Sequence, residues 1–145
     1  MAQAKWGNNL SLSVPQMDCE HWQLIVEADA FSAAVHAGAS RTELEMRLTR
    51  LIEGFQRHFD DEEALMRSHS FPGTAFHAGE HRKLIGQMVG LRDALGSGGV
   101  KLCDALALFV RLWTEQHIQG PDASFAGFLH EGKASRGAGL FAIGQ

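Results

Sequence analysis

The sequence contains no tyrosine, only three prolines and only two cysteines, and each scarcity excludes a class of protein. Cys19 and Cys103 form no CxxC pair, so we expect neither a disulfide framework nor a cysteine zinc site, and Cys19 is interpreted as a buried or half-exposed thiol. The missing tyrosine and the lack of alternating apolar and polar residues argue against β-strands. No apolar run approaches the ~18 residues of a membrane-spanning helix. These absences favour an all-α domain without a membrane span.

Charge and length narrow the choice further. A net charge of −4 provides no basic surface for nucleic acid or for an anionic membrane, and 145 residues suffice for one domain with its own core. The N-terminal stretch MAQAKWGNNLSLSVPQ lacks the apolar segment of a signal peptide, so we expect a cytoplasmic, reducing location. Histidine, in contrast, is abundant, with eight copies.

Apolar residues recur at helical spacing in four segments, at about 16–37, 41–68, 74–95 and 100–119. Ser40 and Glu43 have the capping-box spacing that starts a helix. On the fourth segment we expect an apolar stripe of Leu102, Leu106, Phe109 and Trp113. Because the connections are short, the sequence predicts an up-down-up-down antiparallel four-helix bundle over 16–130. We expect an N-terminal arm at 1–15 and a mobile Gly/Ala-rich tail at 131–145.

Five of the eight histidines fall on these apolar stripes, so that each helix directs at least one ligand-type side chain inward: His21, His58, His77, His81 and His117. Glu62 shares a helix face with His58, four residues before it. One buried histidine is usually hydrogen-bonded to a carbonyl. Several buried polar groups, at about 1–3 kcal/mol each when unsatisfied, would exceed a domain's stability of about 5–15 kcal/mol. A metal centre satisfies them together. His36, His69 and His130 lie off the stripes and are predicted at the surface.

Asp122 completes the set of candidate ligands. It follows His117 by five residues, which is about 140° around a regular helix, so both can share a metal site only if the helix bends. Gly120-Pro121 lies between them and is expected to end the fourth helix and supply that bend. Asp122 also suits the N-terminus of a short following helix, which favours a negative charge.

Imidazole and carboxylate ligands without thiolate suit iron, and less specifically zinc. Seven side chains are too many for one ion. Five imidazoles, two bridging carboxylates and one bridging hydroxide fill all but one of the coordination positions of two octahedral ions. One position therefore remains open for a small ligand.

These residues resemble the hemerythrin signature over about residues 18–125. The resemblance rests on His21, the run His58-Phe59-Asp60-Asp61-Glu62-Glu63, the pair His77 and His81, and His117 with Asp122. Asp18, Met66, Phe71-Pro72 and Trp113 are similar to the bacterial single-domain branch. The predicted topology is also typical of this family.

The resemblance implies a non-haem di-iron centre that binds O2 reversibly, for storage, transport or delivery, without being an enzyme. One iron would be held by His77, His81 and His117 and the other by His21 and His58, with Glu62, Asp122 and an oxo or hydroxo group as bridges. Oxygen would bind as hydroperoxide at the second iron. The resemblance also implies an apolar O2 pocket of Phe59, Trp113 and Ile118. The family usually has leucine where this chain has Thr114, whose hydroxyl could contact the ligand or admit water.

Three other interpretations remain open. A di-iron oxidase, peroxidase or nitric-oxide-reacting protein would fit the same metal, although the Glu-x-x-His pairs of ferritin-like enzymes are absent from this sequence. A sensor that passes oxygen or redox state to a protein partner would have to use the short tail. Structural zinc is a third, weaker reading. We expect a monomer whose ligand is O2, with any protein partner unknown.

Overall fold

The computed structural model describes residues 10–96 and 99–132. Helices α1 (Pro15–His36), α2 (Arg41–Ser68), α3 (Thr74–Leu95) and α4 (Cys103–His117) form a four-helix bundle. Short connections force consecutive helices to run antiparallel, and α1 closes the ring by packing against both α2 and α4. The predicted bundle is confirmed: α2 and α3 have the expected bounds, and α1 differs by one residue at each end.

Local residues explain where the first helices begin and end. The Ser40 side chain accepts a hydrogen bond from the backbone N–H of Glu43 at 3.2 Å, as the capping-box spacing predicted. Helix α1 ends at His36, and Gly38 follows its C-terminal cap with a φ of +70°, which suits a residue without a Cβ. The Thr74 hydroxyl donates to the carbonyl of Phe71 at 2.7 Å and fixes the start of α3. The turns therefore follow from sequence alone.

The core consists of two apolar clusters with a polar layer between them. The larger cluster fills the end of the bundle that holds the connection between α1 and α2, around Leu48, Phe55 and Leu84. The smaller one contains Met17 and Phe125 at the opposite end. The polar layer that separates them contains buried histidine and carboxylate side chains. It is therefore closed off from solvent along the bundle axis on both sides.

The predicted stripe on the fourth helix was wrong in part. Leu102 and Phe109 are exposed, at 52% and 36%, and Trp113 is only partly buried. The buried face instead carries Cys103, Leu106, Val110, Thr114 and His117. Apolar residues cover more than half of the circumference of this helix, with Asp104, Arg111 and Glu115 on the remaining side, so periodicity alone did not separate the buried face from the exposed one. The neighbouring helices select the face that contains His117.

The chain also does not leave the helix at Gly120. A 3₁₀ turn (Gly99–Leu102) precedes α4, a π-helical turn (Ile118–Asp122) follows it, and residues 123–132 continue as α-helix. The expected end of the helix at Gly120-Pro121 is therefore corrected to a widened turn within a continuing helix. Of the expected arm and tail, residues 1–9 and 133–145 lie outside the described residues.

Among the described residues, no helix combines the length and the apolar character needed to cross a membrane.

Candidate metal centre

The seven side chains singled out in the sequence lie together in the polar layer, and every one of them is at most 6% exposed. They form two groups that share both carboxylates. One group contains Glu62, His77, His81, His117 and Asp122, and the other contains His21, His58, Glu62 and Asp122. Within each group the ligand-type atoms lie within 4.8 Å of one another. All four helices and the turn that follows α4 contribute side chains, so the arrangement depends on the complete fold.

Three imidazoles converge in the first group. The Nε2 atom of His117 lies 2.8 Å from Nε2 of His77 and 3.1 Å from Nε2 of His81. Adjacent ligands of an octahedral ion with metal–nitrogen bonds of about 2.1 Å are separated by about 3.0 Å, from the geometry of a right angle. The separations of these nitrogens therefore match ligands that share one metal ion.

Glu62 directs one oxygen to each group. Its Oε1 atom lies 2.8 Å from Nε2 of His77 and 3.2 Å from Nε2 of His81. Its Oε2 atom lies 3.2 Å from Nε2 of His58 and 3.7 Å from Nε2 of His21. A carboxylate placed in this way can bind two neighbouring cations at once.

Asp122 likewise directs one carboxylate oxygen to each group. Its Oδ1 atom lies 2.8 Å from Nε2 of His77 and 3.2 Å from Nε2 of His117, whereas Oδ2 lies 3.0 Å from Nε2 of His21. Two carboxylates therefore connect the same two groups of imidazoles. This geometry has room for a pair of bridged ions.

The short distances from Glu62 and Asp122 to the imidazoles do not produce aligned hydrogen bonds. Both oxygens of Glu62, both oxygens of Asp122 and both ring nitrogens of His21 are buried without a hydrogen-bond partner of suitable geometry. The ligand-type atoms of each group instead lie within 4.8 Å of one another. Buried polar groups in native proteins are normally satisfied, and cations between these atoms would satisfy the four carboxylate oxygens and Nε2 of His21. The residues present therefore fit a pair of metal ions.

The π-helical turn explains how His117 and Asp122 reach the same site. A π-helix closes its hydrogen bonds between residues five apart, so this spacing returns to the same face. In a regular α-helix Pro121 would clash with the carbonyl four residues earlier, and the wider turn relieves that conflict. The bend expected between the two ligands is replaced by this widened turn, which brings them to the same face.

The buried carboxylates and imidazoles shift one another's pKa values. Burial raises the pKa of Glu62, but the close imidazoles of His21 and His58 outweigh it and hold the pKa well below its ordinary value. The pKa of Asp122 is likewise lowered, against burial and the charge of Glu62, by its neighbouring imidazoles. Burial lowers the pKa of His58, yet Glu20 and Glu62 raise it to about 10. Both carboxylates are thus held in the anionic form that cations bind.

Two outer carboxylates hold one histidine of each group, and sequence reasoning assigned them no role. Glu20 Oε1 lies 2.8 Å from Nδ1 of His58, and Glu63 Oε2 lies 2.8 Å from Nδ1 of His81. Such a contact fixes the ring and leaves Nε2 free to face a metal. Each outer carboxylate is adjacent in sequence to a candidate ligand, which is a usable signal. Both carboxylates, however, reach a histidine on another helix, and only the fold reveals that.

Aromatic rings line the same layer. Phe59 stacks on His81 with ring centroids 3.7 Å apart, and Trp113 stacks on His117 at 4.3 Å. Ile118 and Thr114 are buried at 1% and 2% exposure. The four residues predicted to form a pocket are thus on the inner side of the bundle. The two stacked rings contact the three-imidazole group, and Phe59 also lies 5.7 Å from the ring of His58.

The remaining histidines and cysteines lie apart from this layer. His36, His69 and His130 are exposed, as their positions off the stripes predicted. Cys19 is exposed, so the expectation of a buried or half-exposed thiol was wrong, whereas Cys103 is buried; both are free thiols. Burial, with the nearby charge of Asp104, raises the pKa of the Cys103 thiol, which disfavours the reactive thiolate.

Comparison with known proteins agrees with this geometry. Residues 12–129 match the hemerythrin HHE cation-binding domain. The chain is 32% identical to a myohemerythrin of Sipunculus nudus over 83 residues, 57% of this chain and 63% of that protein. It is 28% identical to a myohemerythrin of Riftia pachyptila, covering 86% of this chain and 92% of the relative. A bacteriohemerythrin of Stenotrophomonas maltophilia is 24% identical, covering 87% and 81%.

The fold supports the same relationship. A crystal structure of wild-type hemerythrin superposes with a TM-score of 0.79 at 25% identity, covering 87% of this chain and 97% of that chain. The family match extends over most of the chain, including every residue of the buried polar layer. The chain therefore belongs to the hemerythrin HHE cation-binding domain family.

Proposed function

We propose that this protein binds O2 reversibly at a non-haem di-iron centre, for oxygen storage, transport or delivery. The observation that carries the proposal is that Glu62 and Asp122 each direct one oxygen to the group with three imidazoles and the other oxygen to the group with two. Unequal numbers of histidines around two connected positions leave one position with a free coordination site. That site is the place for a small ligand.

The residues of the layer supply the ligands. His77, His81 and His117 would hold one iron, His21 and His58 the other, and Glu62 with Asp122 would bridge them. When bound, the iron pair supplies an open coordination position and the two electrons that O2 accepts and returns. Five neutral imidazoles against two carboxylates favour reversible binding over the carboxylate-rich chemistry of ferritin-like oxidases.

The chain itself orients the metal ligands and keeps water away from the site. Glu20 and Glu63 hold His58 and His81 through their Nδ1 atoms, so that the Nε2 atoms keep their direction. Phe59, Trp113 and Ile118 place apolar surface beside the site. Water and protons promote loss of oxygen with oxidation of the metal, and an apolar lining excludes both. The two apolar clusters at the ends of the layer extend this barrier.

The test is metal analysis combined with visible absorption of the iron-loaded protein. We expect two irons per chain and an absorption band that appears with O2 and disappears when O2 is removed, over repeated cycles. An Asp122→Ala variant should lose the band and bind fewer irons, whereas an exposed control, Glu53→Ala, should retain both. One iron per chain, or consumption of O2 without a reversible band, would contradict the proposal.

A further inference from the structure

The outer face of α4 carries an unusual concentration of exposed apolar side chains. Leu102, Leu108, Phe109 and Leu112 are 52%, 52%, 36% and 43% exposed and lie within eleven consecutive residues. A contiguous patch of this kind on a small protein marks an interaction surface more often than isolated exposed residues do. This patch lies on the side of α4 away from the candidate ligand His117.

The order of these residues is that of a helix-pairing seam. Leu102, Ala105, Phe109 and Leu112 follow the alternating three- and four-residue spacing of coiled-coil core positions. Ala105 is exposed like the others. The core of this bundle uses a different set on the same helix, Cys103, Leu106 and Val110. Helix α4 therefore has two apolar stripes, and the outer one has no partner within the described residues.

The outer stripe is complementary to itself when two copies run antiparallel. A two-fold axis near residue 107 places Leu102 opposite Leu112 of the second copy and the small Ala105 opposite the large Phe109. Leu108 then meets its own copy beside the axis. A parallel pairing would instead place Phe109 against Phe109. Shape thus favours the antiparallel arrangement, which is a closed two-fold dimer.

The surface beside the stripe has space for the phenylalanine side chain of a second copy. Helices α3 and α4 leave between them a shallow groove of about 300 Å³, lined by Gln87, Leu91, Leu102, Ala105, Leu106 and Phe109. Ala105 lines this groove, and its short side chain leaves space there. A phenylalanine ring from a second copy can therefore enter at Ala105.

Charge supports the same orientation. Lys101 and Glu115 flank the stripe on one side, at opposite ends of α4. In the antiparallel pair Lys101 of each copy lies beside Glu115 of the other, twice by symmetry. Glu115 keeps its pairing with Arg111 at 3.5 Å in the same helix. A parallel pair would place Lys101 and Glu115 of the two copies on opposite sides of the seam, so these contacts between opposite charges would not form.

We propose that this chain forms a homodimer in which the outer faces of two α4 helices pack antiparallel through Leu102, Ala105, Phe109 and Leu112. This replaces the expectation of a monomer, and it does not depend on the proposed oxygen binding. The seam covers about three helical turns, smaller than a standard interface of about 1,600 Å², so a micromolar dissociation constant is expected.

Sedimentation of the full-length, iron-loaded protein over a concentration series tests the proposal. The wild type should shift from monomer to dimer, and Phe109→Glu should remain monomeric at every concentration. Leu112→Glu is a second disrupting variant, and circular dichroism shows that each variant is folded. Phe76→Glu, a control at an exposed phenylalanine on α3 (69% exposed), should dimerise like the wild type. A wild type that is monomeric throughout, or a dimer unaffected by both disrupting variants, overturns the proposal.

Disulfide trapping tests the register. In a Cys19→Ser background, the double variant Leu102→Cys/Leu112→Cys should form a disulfide-linked dimer on mild oxidation, because residues 102 and 112 of the two copies face each other. Leu112→Cys alone should not, because residue 112 faces residue 102. Cross-linking by Leu112→Cys alone would contradict the antiparallel seam.

Discussion

Thr114 occupies a position where the resemblance to hemerythrins implies a leucine, and the structure shows what its hydroxyl does. The hydroxyl donates a hydrogen bond to the carbonyl of Val110 at 2.7 Å, one turn earlier in α4. Threonine commonly satisfies a buried hydroxyl in this way within a helix. Its proton is therefore committed to the backbone and is not directed at a ligand. The residue differs from leucine mainly in volume.

This distinction leads to a prediction for two substitutions. Thr114→Val keeps the shape and removes the hydroxyl, so the rate of autoxidation of the oxygenated protein should change little. Thr114→Leu adds apolar volume beside the site and should slow autoxidation severalfold by excluding water. The measurement is the decay of the oxygen-dependent absorption band. If Thr114→Leu decays at the wild-type rate, Thr114 does not belong to the pocket.

The outer carboxylates give a second prediction at this scale. Glu20→Ala and Glu63→Ala should weaken iron binding by roughly 10–100-fold, because His58 and His81 lose the partner that orients them. Iron retention against a chelator measures the effect. Gln at either position restores an acceptor for the imidazole N–H and should recover part of the affinity. Glu53→Ala, exposed on the same helix as Glu63, should retain iron normally, and equal losses in all three variants would refute the assignment.

Among the secondary-structure elements, the π-helical turn determines whether His117 and Asp122 reach the same site. A spacing of five residues between His117 and Asp122 is incompatible with one face of an α-helix, and the turn Ile118–Asp122 removes the conflict. Pro121 within this turn disfavours the regular helix that would carry Asp122 away. The local sequence thus helps to keep the ligand in place.

Replacing that proline should separate stability from iron binding. Pro121→Ala permits a regular helix, so the iron-free protein should gain stability, by at most the ~3 kcal/mol that separates these residues inside a helix. Iron binding should weaken, because the regular helix rotates Asp122 away from His117. Denaturant unfolding and chelator competition measure the two effects. Pro15→Ala, at the start of α1, is the control and should leave iron binding unchanged. Parallel changes in both quantities would argue against this role for the turn.

Helix α4 also shows the limit of periodicity in this chain. Its segment presents two apolar stripes, one with Leu102 and Phe109 and the other with Leu106 and Val110, at equivalent helical spacing. Helices α2 and α3 have one clear apolar face each, and their bounds agreed with prediction. A pattern identifies a buried face only when the opposite face is polar. The outer stripe of α4 became informative once the fold had assigned the inner one.

For the molecule as a whole, the polar layer should make stability depend on the metal. Five imidazoles and two carboxylates are buried between the apolar clusters, and ions would satisfy them in the folded state but not in the unfolded chain. Iron at a hundred times its dissociation constant adds about 2.7 kcal/mol by linkage. We therefore expect removal of iron to lower the melting temperature by on the order of 10 °C. Calorimetry of loaded and chelated protein measures this. Asp122→Ala should show a much smaller shift, and an equal shift in that variant would place the stabilising metal elsewhere.

The sequence by itself determined the helix count, the antiparallel order, the turns and the seven inward-facing candidate ligands, because spacing along one helix is a local property. Only the tertiary structure decided which carboxylate oxygen faces which histidine and that Glu20 reaches across to His58. It also decided which stripe of α4 is buried and how the chain widens between His117 and Asp122. These features depend on distances between helices, and a one-dimensional pattern contains no such distances.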